Sequence, residues 1–347
     1  MKIKFVTIII LIAVILTGVY FLRNKTTQSL LPDIKSSLEK IITPTPMPFE
    51  DLTIPYLRKR KYESNIAKLN KSYDGSNYSG YLTSYDSDGL KINGLLTKPT
   101  SRIPEGGYPA IVFVHGYIPP TQYNTTQQYY DYVDFLARNG FVVFKIDLRG
   151  HGDSEGEPGG AYFSSDYIID TLNARAALQS SDFVNADKIG LWGHSMAGNV
   201  VMRSFAAMPD IPAVAIWAGA VYTYTDREKY GINDSSYVRP PSGTPGQRSR
   251  QRVFDTHGQF DPENIFWKQF VPTNYLSDLK GAIGIFHAVD DPVVDIGYSR
   301  DVIKLLDETI IPHELHEYPN GGHNISGMNF AQAMQSTVDF FKKYLEE

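Results

Sequence analysis

A serine in a turn of small residues is the part of this sequence best suited to chemistry. The run Lys188-Ile-Gly-Leu-Trp-Gly-His-Ser-Met-Ala-Gly-Asn199 predicts an apolar strand, a tight turn and a helix over 196–208. Ser195 stands in the turn, where Gly193 and Ala197 leave room for a strained backbone that lifts the hydroxyl clear of a sheet. A serine at a helix N-terminus is a typical nucleophile, because the helix dipole favours negative charge there. Taken alone, the run also fits an ordinary strand-to-helix turn.

A nucleophilic serine needs a base to remove its proton and an acid to orient that base. Downstream of Ser195, a predicted strand at 282–288 is followed by Asp290 and Asp291, and a later strand is followed by a glycine-rich loop that contains His323. The order Ser, Asp, His is that of hydrolases whose serine lies in a strand-to-helix turn. We therefore predict His323 as the base, with either aspartate as the acid.

The elements around these residues predict an α/β fold. Apolar strands are predicted at 109–116, 141–147, 189–192, 213–218, 282–288 and 312–318, and helices at 122–139, 165–179, 196–208, 295–307 and 331–345. Strands that alternate with helices indicate a doubly wound, mostly parallel sheet covered on both faces. Residues 79–87 and 89–97 are rich in tyrosine and β-branched residues, and they predict an antiparallel hairpin at the start of this sheet.

The alternation of strands and helices stops between residues 219 and 279. This span contains several prolines and glycines, an arginine-rich run at 248–252 and a group of aromatic residues. It is too long for an ordinary connection. We predict a cap-like insertion that overhangs the carboxyl ends of the strands; a surface excursion without a role at the site is the alternative.

Composition excludes several classes of function. Of the 347 residues, 42% are hydrophobic and 20% charged, which is typical of a globular protein. A net charge of −5 gives no basic excess for nucleic acid, and the absence of cysteine excludes disulfides and thiolate metal sites. His313 and His316 are one residue too close for the zinc motif H-E-x-x-H. No metal and no cofactor are predicted, and the oligomeric state is left open.

The N-terminus predicts a membrane anchor. Lys2 and Lys4 precede an uncharged apolar run at 5–22, long enough for a helix of roughly 27 Å. No small-residue cleavage site follows it, so an uncleaved signal anchor at 1–25 is predicted, with the large domain outside the cytoplasm. Residues 26–75 are predicted as a Pro/Thr-rich spacer and lead-in segment, and residues 76–347 as the catalytic domain.

Several motifs together resemble those of a known superfamily. They are Phe113-Val-His-Gly-Tyr117, Asp147-Leu-Arg-Gly-His-Gly-Asp-Ser154, Gly193-His-Ser-Met-Ala-Gly198, Asp291-Pro-Val-Val294 and Gly321-Gly-His323. From about Tyr78 to the C-terminus the chain resembles α/β-hydrolases, and more narrowly the catalytic domain of prolyl oligopeptidase-like (S9) peptidases and related esterases. The resemblance implies the α/β-hydrolase fold. It also selects Asp291 as the acid, because Ala288 and Val294 occupy the glycine and valine positions that flank the acid in that family.

The same resemblance implies an oxyanion hole formed by the backbone N–H groups of Tyr117 and Met196. The hydroxyl of Tyr117 either donates to the oxyanion as well or serves in packing. We interpret Asp147, Arg149 and Asp153 as structural residues that fix the loop after their strand.

We therefore predict a membrane-anchored serine hydrolase that works through an acyl-enzyme and cleaves carboxylic esters or short peptides and amides. S9 peptidases usually carry a large β-propeller, and the segment between the predicted anchor and the hairpin is too short for one, which favours an esterase at least as much as a peptidase. The alternatives are an S9 peptidase proper, an acyltransferase, and a non-catalytic surface binding module with the same fold.

Overall fold

The computed structural model describes residues 46–237 and 245–346. Within these residues nine strands form one sheet in the order β1-β2-β3-β5-β4-β6-β7-β8-β9. The strands are β1 (Asn70–Asp74), β2 (Tyr78–Ser87), β3 (Leu90–Pro99), β4 (Tyr108–Val114), β5 (Val142–Ile146), β6 (Val184–His194), β7 (Ala213–Trp217), β8 (Ala282–Ala288) and β9 (His313–Tyr318). The α-helices are α1 (Ile54–Lys59), α2 (Tyr130–Arg138), α3 (Asp166–Gln179), α4 (Met196–Ala207), α5 (Thr225–Tyr230), α6 (Pro245–His257), α7 (Ile265–Phe270), α8 (Gly297–Leu306) and α9 (Met328–Leu345).

The sheet combines an antiparallel edge with a parallel centre, so the predicted α/β architecture is confirmed. The strand pairs β1–β2, β2–β3 and β3–β5 are antiparallel. The pairs β5–β4, β4–β6, β6–β7, β7–β8 and β8–β9 are parallel. The predicted hairpin is β2 and β3. Strand β1 was not predicted, because its polar residues are largely exposed and it is ordered by pairing with β2 rather than by burial.

Parallel strands place their carboxyl ends at one edge of the sheet, which is where ligands bind in such folds. The loops after β4, β6, β8 and β9 therefore meet there. All residues of β5, β7 and β8 are buried, and Phe113 of β4 stacks on Trp192 of β6 with ring centroids 3.9 Å apart. The rigid core beneath this edge fixes the positions of the loops.

Helix α2 begins later than the helix predicted over 122–139. The side chain of Asn124 accepts hydrogen bonds from the backbone N–H groups of Thr126 and Gln127 and closes a turn there. Tyr129 has a left-handed backbone (φ 60°). A helix cannot continue through that conformation, so regular α-helix starts at Tyr130.

The compact unit begins at Phe49 rather than at the predicted domain boundary of residue 76. Leu52, Ile54 and Leu57 are buried, and the fully buried guanidinium of Arg203 on α4 donates to the carbonyl of Leu52 over 2.6 Å. The lead-in segment is therefore part of the domain, because apolar burial and a buried charge hold it there.

The predicted membrane-spanning helix at 5–22 and the first part of the spacer lie outside the described residues. Within 46–237 and 245–346, none of the helices combines the length and apolarity needed to span a bilayer. The predicted insertion at 219–279 contains α5, α6, α7 and a 3-10 helix at Pro272–Asp278, with residues 238–244 outside the described ranges.

Candidate active site

Ser195 lies where β6 ends and α4 begins, in a strained turn. Its backbone angles are φ 57° and ψ −119°, a conformation that non-glycine residues rarely adopt. A Cβ atom on Gly193 would lie 2.7 Å from the carbonyl oxygen of Ala197, so the first turn of α4 packs too closely for a side chain there. The Ala197 methyl group is fully buried in this turn. The small residues therefore allow the backbone that presents the serine.

His323 and Asp291 are joined by a hydrogen bond of 2.8 Å between Nδ1 and Oδ2. The Asp291 side chain is fully buried, and its Oδ1 accepts from the backbone N–H groups of Val293 and Val294. Burial raises the pKa of Asp291, but hydrogen bonds from His287 and His323 outweigh that effect and hold the pKa well below its usual range. Asp291 is therefore ionised and acts as a fixed acceptor for the His323 ring.

Asp290 contacts the same loop in a different way. Its carboxylate accepts from the backbone N–H of Gly322 over 2.8 Å and of Gly321 over 3.3 Å. The two aspartates that the sequence left open as acids thus both contact the segment that carries His323. Asp291 accepts a hydrogen bond from the ring N–H of His323, whereas Asp290 accepts hydrogen bonds from the backbone N–H groups of the two glycines that precede His323.

Ser195 and His323 line one cavity of about 380 Å³ at the carboxyl edge of the sheet. The other residues that line it are Gly116, Tyr117, Ile118, Gln128, Tyr129, Tyr132, His194, Asp234, Ser236 and Asn324. Ser195 is 9% exposed and the His323 side chain 17% exposed. Asp234 and Ser236 come from the insertion, so this segment contributes to the cavity wall.

Of the two predicted oxyanion donors, Tyr117 lines the cavity that contains Ser195, and Met196 directly follows Ser195 in the chain. Tyr117 follows β4 and lines the cavity, and its ring centroid lies 5.2 Å from that of Tyr237. Met196 is the first residue of α4, so its N–H is one of those that an α-helix leaves without an internal acceptor. The structure brings Ser195, His323 and Tyr117 to one cavity, and Asp291 is hydrogen-bonded to His323; Met196 follows Ser195 in the chain but does not line the cavity.

A chain of hydrogen bonds connects the loop of Tyr117 with the loop of His323. The Gly116 N–H donates to the Tyr129 hydroxyl over 3.0 Å, and that hydroxyl lies 2.7 Å from His194 Nδ1. His194 Nε2 lies 2.8 Å from the carbonyl oxygen of His323. A carbonyl only accepts, so His194 carries its proton on Nε2, and the Tyr129 hydroxyl donates to Nδ1. Burial, and then the charge of His323, lower the pKa of His194 to about 3 and keep the ring neutral.

The charged residues in the loop after β5 form hydrogen bonds and ion pairs with neighbouring side chains. Asp147 accepts from the hydroxyls of Tyr123 and Thr125, and the Arg149 guanidinium pairs with Asp166 and Asp170. Across the described ranges, no group of three or more His, Asp or Glu side chains is arranged to hold a metal ion.

Sequence reasoning missed the contributions of His194, Tyr129 and His287. His194 directly precedes Ser195 in the turn, and its contact with Tyr129 joins residues 65 positions apart, which no local pattern predicts. His287 lies within an apolar strand pattern, where a histidine is more often a satisfied core residue. The only signal for His287 in the sequence is that a polar residue stands one position before the end of a predicted apolar strand.

Part of the chain matches a family model. Residues 108–232 match the family described as serine aminopeptidase, S33. The chain is 24% identical over 247 residues to the uncharacterized peptidase YtmA of Bacillus subtilis, which covers 70% of this chain and 85% of that protein. It is 25% identical over 243 residues to human dipeptidyl peptidase 8, covering 68% of this chain but 25% of that protein. The chain thus spans most of one relative and about a quarter of the other.

Solved structures share the fold. Acetyl xylan esterase 1 of Thermoanaerobacterium sp. superposes with a TM-score of 0.56 at 18% identity, covering 86% of this chain and 95% of the esterase. Dipeptidyl peptidase 4 of Porphyromonas gingivalis superposes with a TM-score of 0.58 at 21% identity, covering 78% of this chain and 36% of the peptidase. One scaffold therefore occurs in both esterases and peptidases.

Proposed function

We propose that the chain is a serine hydrolase, that Ser195 is its nucleophile and that it cleaves esters of short acyl groups. His323 acts as general base and Asp291 orients it. The backbone N–H groups of Tyr117 and Met196 stabilise the oxyanion. The observation that carries this proposal is the convergence of Ser195 and the Asp291-bound His323 on one cavity.

The proposed reaction has two halves. His323 Nε2 takes the proton of the Ser195 hydroxyl as its oxygen attacks the ester carbonyl, and the Nδ1–H bond to Asp291 stabilises the resulting imidazolium. The imidazolium then gives its proton to the departing alcohol, which leaves the acyl group on Ser195. Water, deprotonated by His323, attacks this acyl-enzyme, and the proton returns to Ser195 as the acid is released.

The cavity supports a small and polar substrate. A volume of about 380 Å³ is near the lower end of ligand sites, and Tyr117, Gln128 and Asn324 bring hydroxyl and amide groups to its wall. A long aliphatic chain would desolvate these groups without replacing their hydrogen bonds.

The test is labelling of the full-length chain by a fluorophosphonate probe, with Ser195→Ala beside it. We expect uptake in the wild type alone, followed by faster turnover of short acyl esters than of aminoacyl or prolyl amides. A folded wild-type protein that takes up no probe would contradict the proposal and favour a non-catalytic binding module.

A peptidase is the second candidate, and Asp234 is the observation that favours it. Asp234 lines the cavity that contains Ser195; its Oδ1 accepts from the backbone N–H and hydroxyl of Ser236, and its negative charge is suited to bind the ammonium group of a peptide N-terminus. Asp234→Asn would then lower kcat/KM for substrates with a free α-amine and not for their N-acetylated forms. Asp255→Asn on α6 removes the same charge from an exposed position and is the matched control. Equal effects of the two variants would exclude this role.

We further propose that residues 5–22 anchor the chain in a membrane with the domain outside the cytoplasm. The support is the uncharged apolar run between Lys4 and Arg23. The full-length chain should sediment with membranes and be cleaved by protease added to intact cells. A chain beginning at residue 46 should stay in the supernatant, and recovery of the full-length chain there would contradict the anchor.

A further inference from the structure

We propose that His287 is a positioning residue for the triad acid: it binds the same Asp291 carboxylate oxygen as His323 and thereby sets how strongly Asp291 binds the base. This inference rests on the proposed function, because it concerns the same site. His287 lies one position before the end of β8 and is fully buried. Its Nε2 lies 3.1 Å from Asp291 Oδ2.

The surroundings of His287 fix which nitrogen carries the proton. Nε2 faces two acceptors, Asp291 Oδ2 and the carbonyl oxygen of Val294 at 3.0 Å, so the proton must lie on Nε2. Nδ1 lies 2.7 Å from the hydroxyl of Ser299 on α8 and accepts from it in the neutral ring. A hydroxyl on one side and two acceptors on the other therefore determine both the tautomer and the ring orientation.

Two imidazoles consequently donate to the same carboxylate oxygen. His323 Nδ1 is 2.8 Å and His287 Nε2 is 3.1 Å from Oδ2, while the backbone N–H groups of Val293 and Val294 occupy Oδ1. The carboxylate cannot rotate without breaking one of these bonds. A second donor also draws negative charge away from the bond to His323 and reduces the stabilisation of its imidazolium.

Few other ionisable groups face this arrangement. The His194 ring lies 4.6 Å from that of His323, and Asp290 binds the backbone of the same loop. Glu317 is opposite His287 in the β8–β9 pair and is itself paired with Arg300. On α8, Ser299 contributes a neutral hydroxyl. His287 is thus the one side chain besides His323 that donates to Asp291 among the described residues.

Two amide substitutions separate this role from packing. In His287→Gln the amide nitrogen can take the place of Nε2 and still reach Asp291. In His287→Asn the shorter side chain can keep a bond to Ser299 but cannot reach Asp291. Both are neutral and polar, so they remove the imidazole equally. The measurements are kcat and KM across pH for a short acyl ester, with fluorophosphonate labelling and thermal unfolding of each variant.

We expect His287→Gln to stay within about threefold of the wild type in kcat, and His287→Asn to lose about 10- to 100-fold, the size of one hydrogen bond to a charged group. KM should change little. In the Asn variant, the acid limb of the kcat/KM profile should move to higher pH, because Asp291 then binds the His323 imidazolium more strongly. In the Gln variant, the acid limb should lie at the same pH as in the wild type.

Equal losses in the two variants, with the acid limb where the wild type has it, would overturn the proposal and leave His287 as a packing residue. If neither variant folds, Ser299→Ala tests the same chain of contacts, since it frees Nδ1; an unchanged acid limb there also overturns it. A wild-type protein that neither takes up the fluorophosphonate probe nor hydrolyses the ester would instead refute the proposed function. The labelling step distinguishes that result from the outcomes above.

Discussion

Two serine–histidine pairs meet at Asp291, one open and one sealed. In the open pair, Ser195 and His323 line the cavity, and His323 binds Asp291 through Nδ1, which leaves Nε2 for the proton of the Ser195 hydroxyl. In the sealed pair, Ser299 and His287 are fully buried, and His287 uses Nε2 for Asp291 itself. The residue types are the same. Access to the cavity and the choice of ring nitrogen separate the pair proposed to react from the pair proposed to support it.

The largest effect should distinguish the two serines. We expect Ser195→Ala to reduce kcat by roughly 10⁶-fold, as for other triad nucleophiles. Ser299→Ala should cost no more than roughly tenfold, because it removes one neutral hydrogen bond behind the acid. Turnover of a short acyl ester by both variants measures the difference. Comparable losses would mean that the open and sealed pairs are not distinct in function.

A smaller effect should distinguish the two aspartates. Asp291→Asn should lower kcat by roughly 10⁴-fold, because an amide can donate to His323 Nδ1 and so favour the wrong tautomer. Asp290→Asn should cost roughly tenfold or less, since its amide oxygen still accepts from the glycine-rich loop. Steady-state kinetics of the two variants at one pH provides the test. Equal losses would remove the assignment of Asp291 as the acid.

The smallest effect concerns His194, which holds the backbone of the open pair. Its pKa is about 3 in the folded chain and about 6.5 when unfolded, so between these values only the unfolded chain binds the proton. The free energy of unfolding should therefore fall as pH drops from 6.5 towards 3, with a slope of up to about 1.4 kcal/mol per pH unit from this group.

His194→Gln removes the titrating ring. The fall in unfolding free energy should become shallower by up to the same amount, about 1.4 kcal/mol per pH unit. Urea unfolding of both proteins at several pH values between 4 and 7 measures it. Identical slopes would show that His194 takes up its proton in the folded state.

The sequence was informative where local pattern and chemistry coincide. The strand, turn and helix around Ser195 lie within a short stretch, and small residues in the turn are a direct requirement of its backbone. The loop with His323 follows a predicted strand in the expected order. Choosing Asp291 over Asp290 needed the family resemblance, because both carboxylates lie close to that loop and only the fold decides which faces the ring.

What the sequence did not predict depends on contacts between distant residues. The bond from Tyr129 to His194 joins residues 65 positions apart, and the left-handed backbone of Tyr129 delays helix α2. Strand β1 is polar and exposed, so its order comes from its partner rather than from its composition. Leu52, Ile54 and Leu57 are too few and too scattered to form a pattern, although each is buried.

The lead-in segment is hydrogen-bonded to α4, the helix that follows Ser195. Arg203 and the carbonyl of Leu52 are joined over 2.6 Å, and Arg58 Nε donates to the carbonyl of Ala206 over 2.8 Å. Tension applied ahead of Phe49 would pass through these bonds into α4, the helix whose first turn borders the cavity. A chain cut at residue 46 keeps this linkage, whereas a cut at residue 76 leaves the Arg203 charge buried without the Leu52 carbonyl.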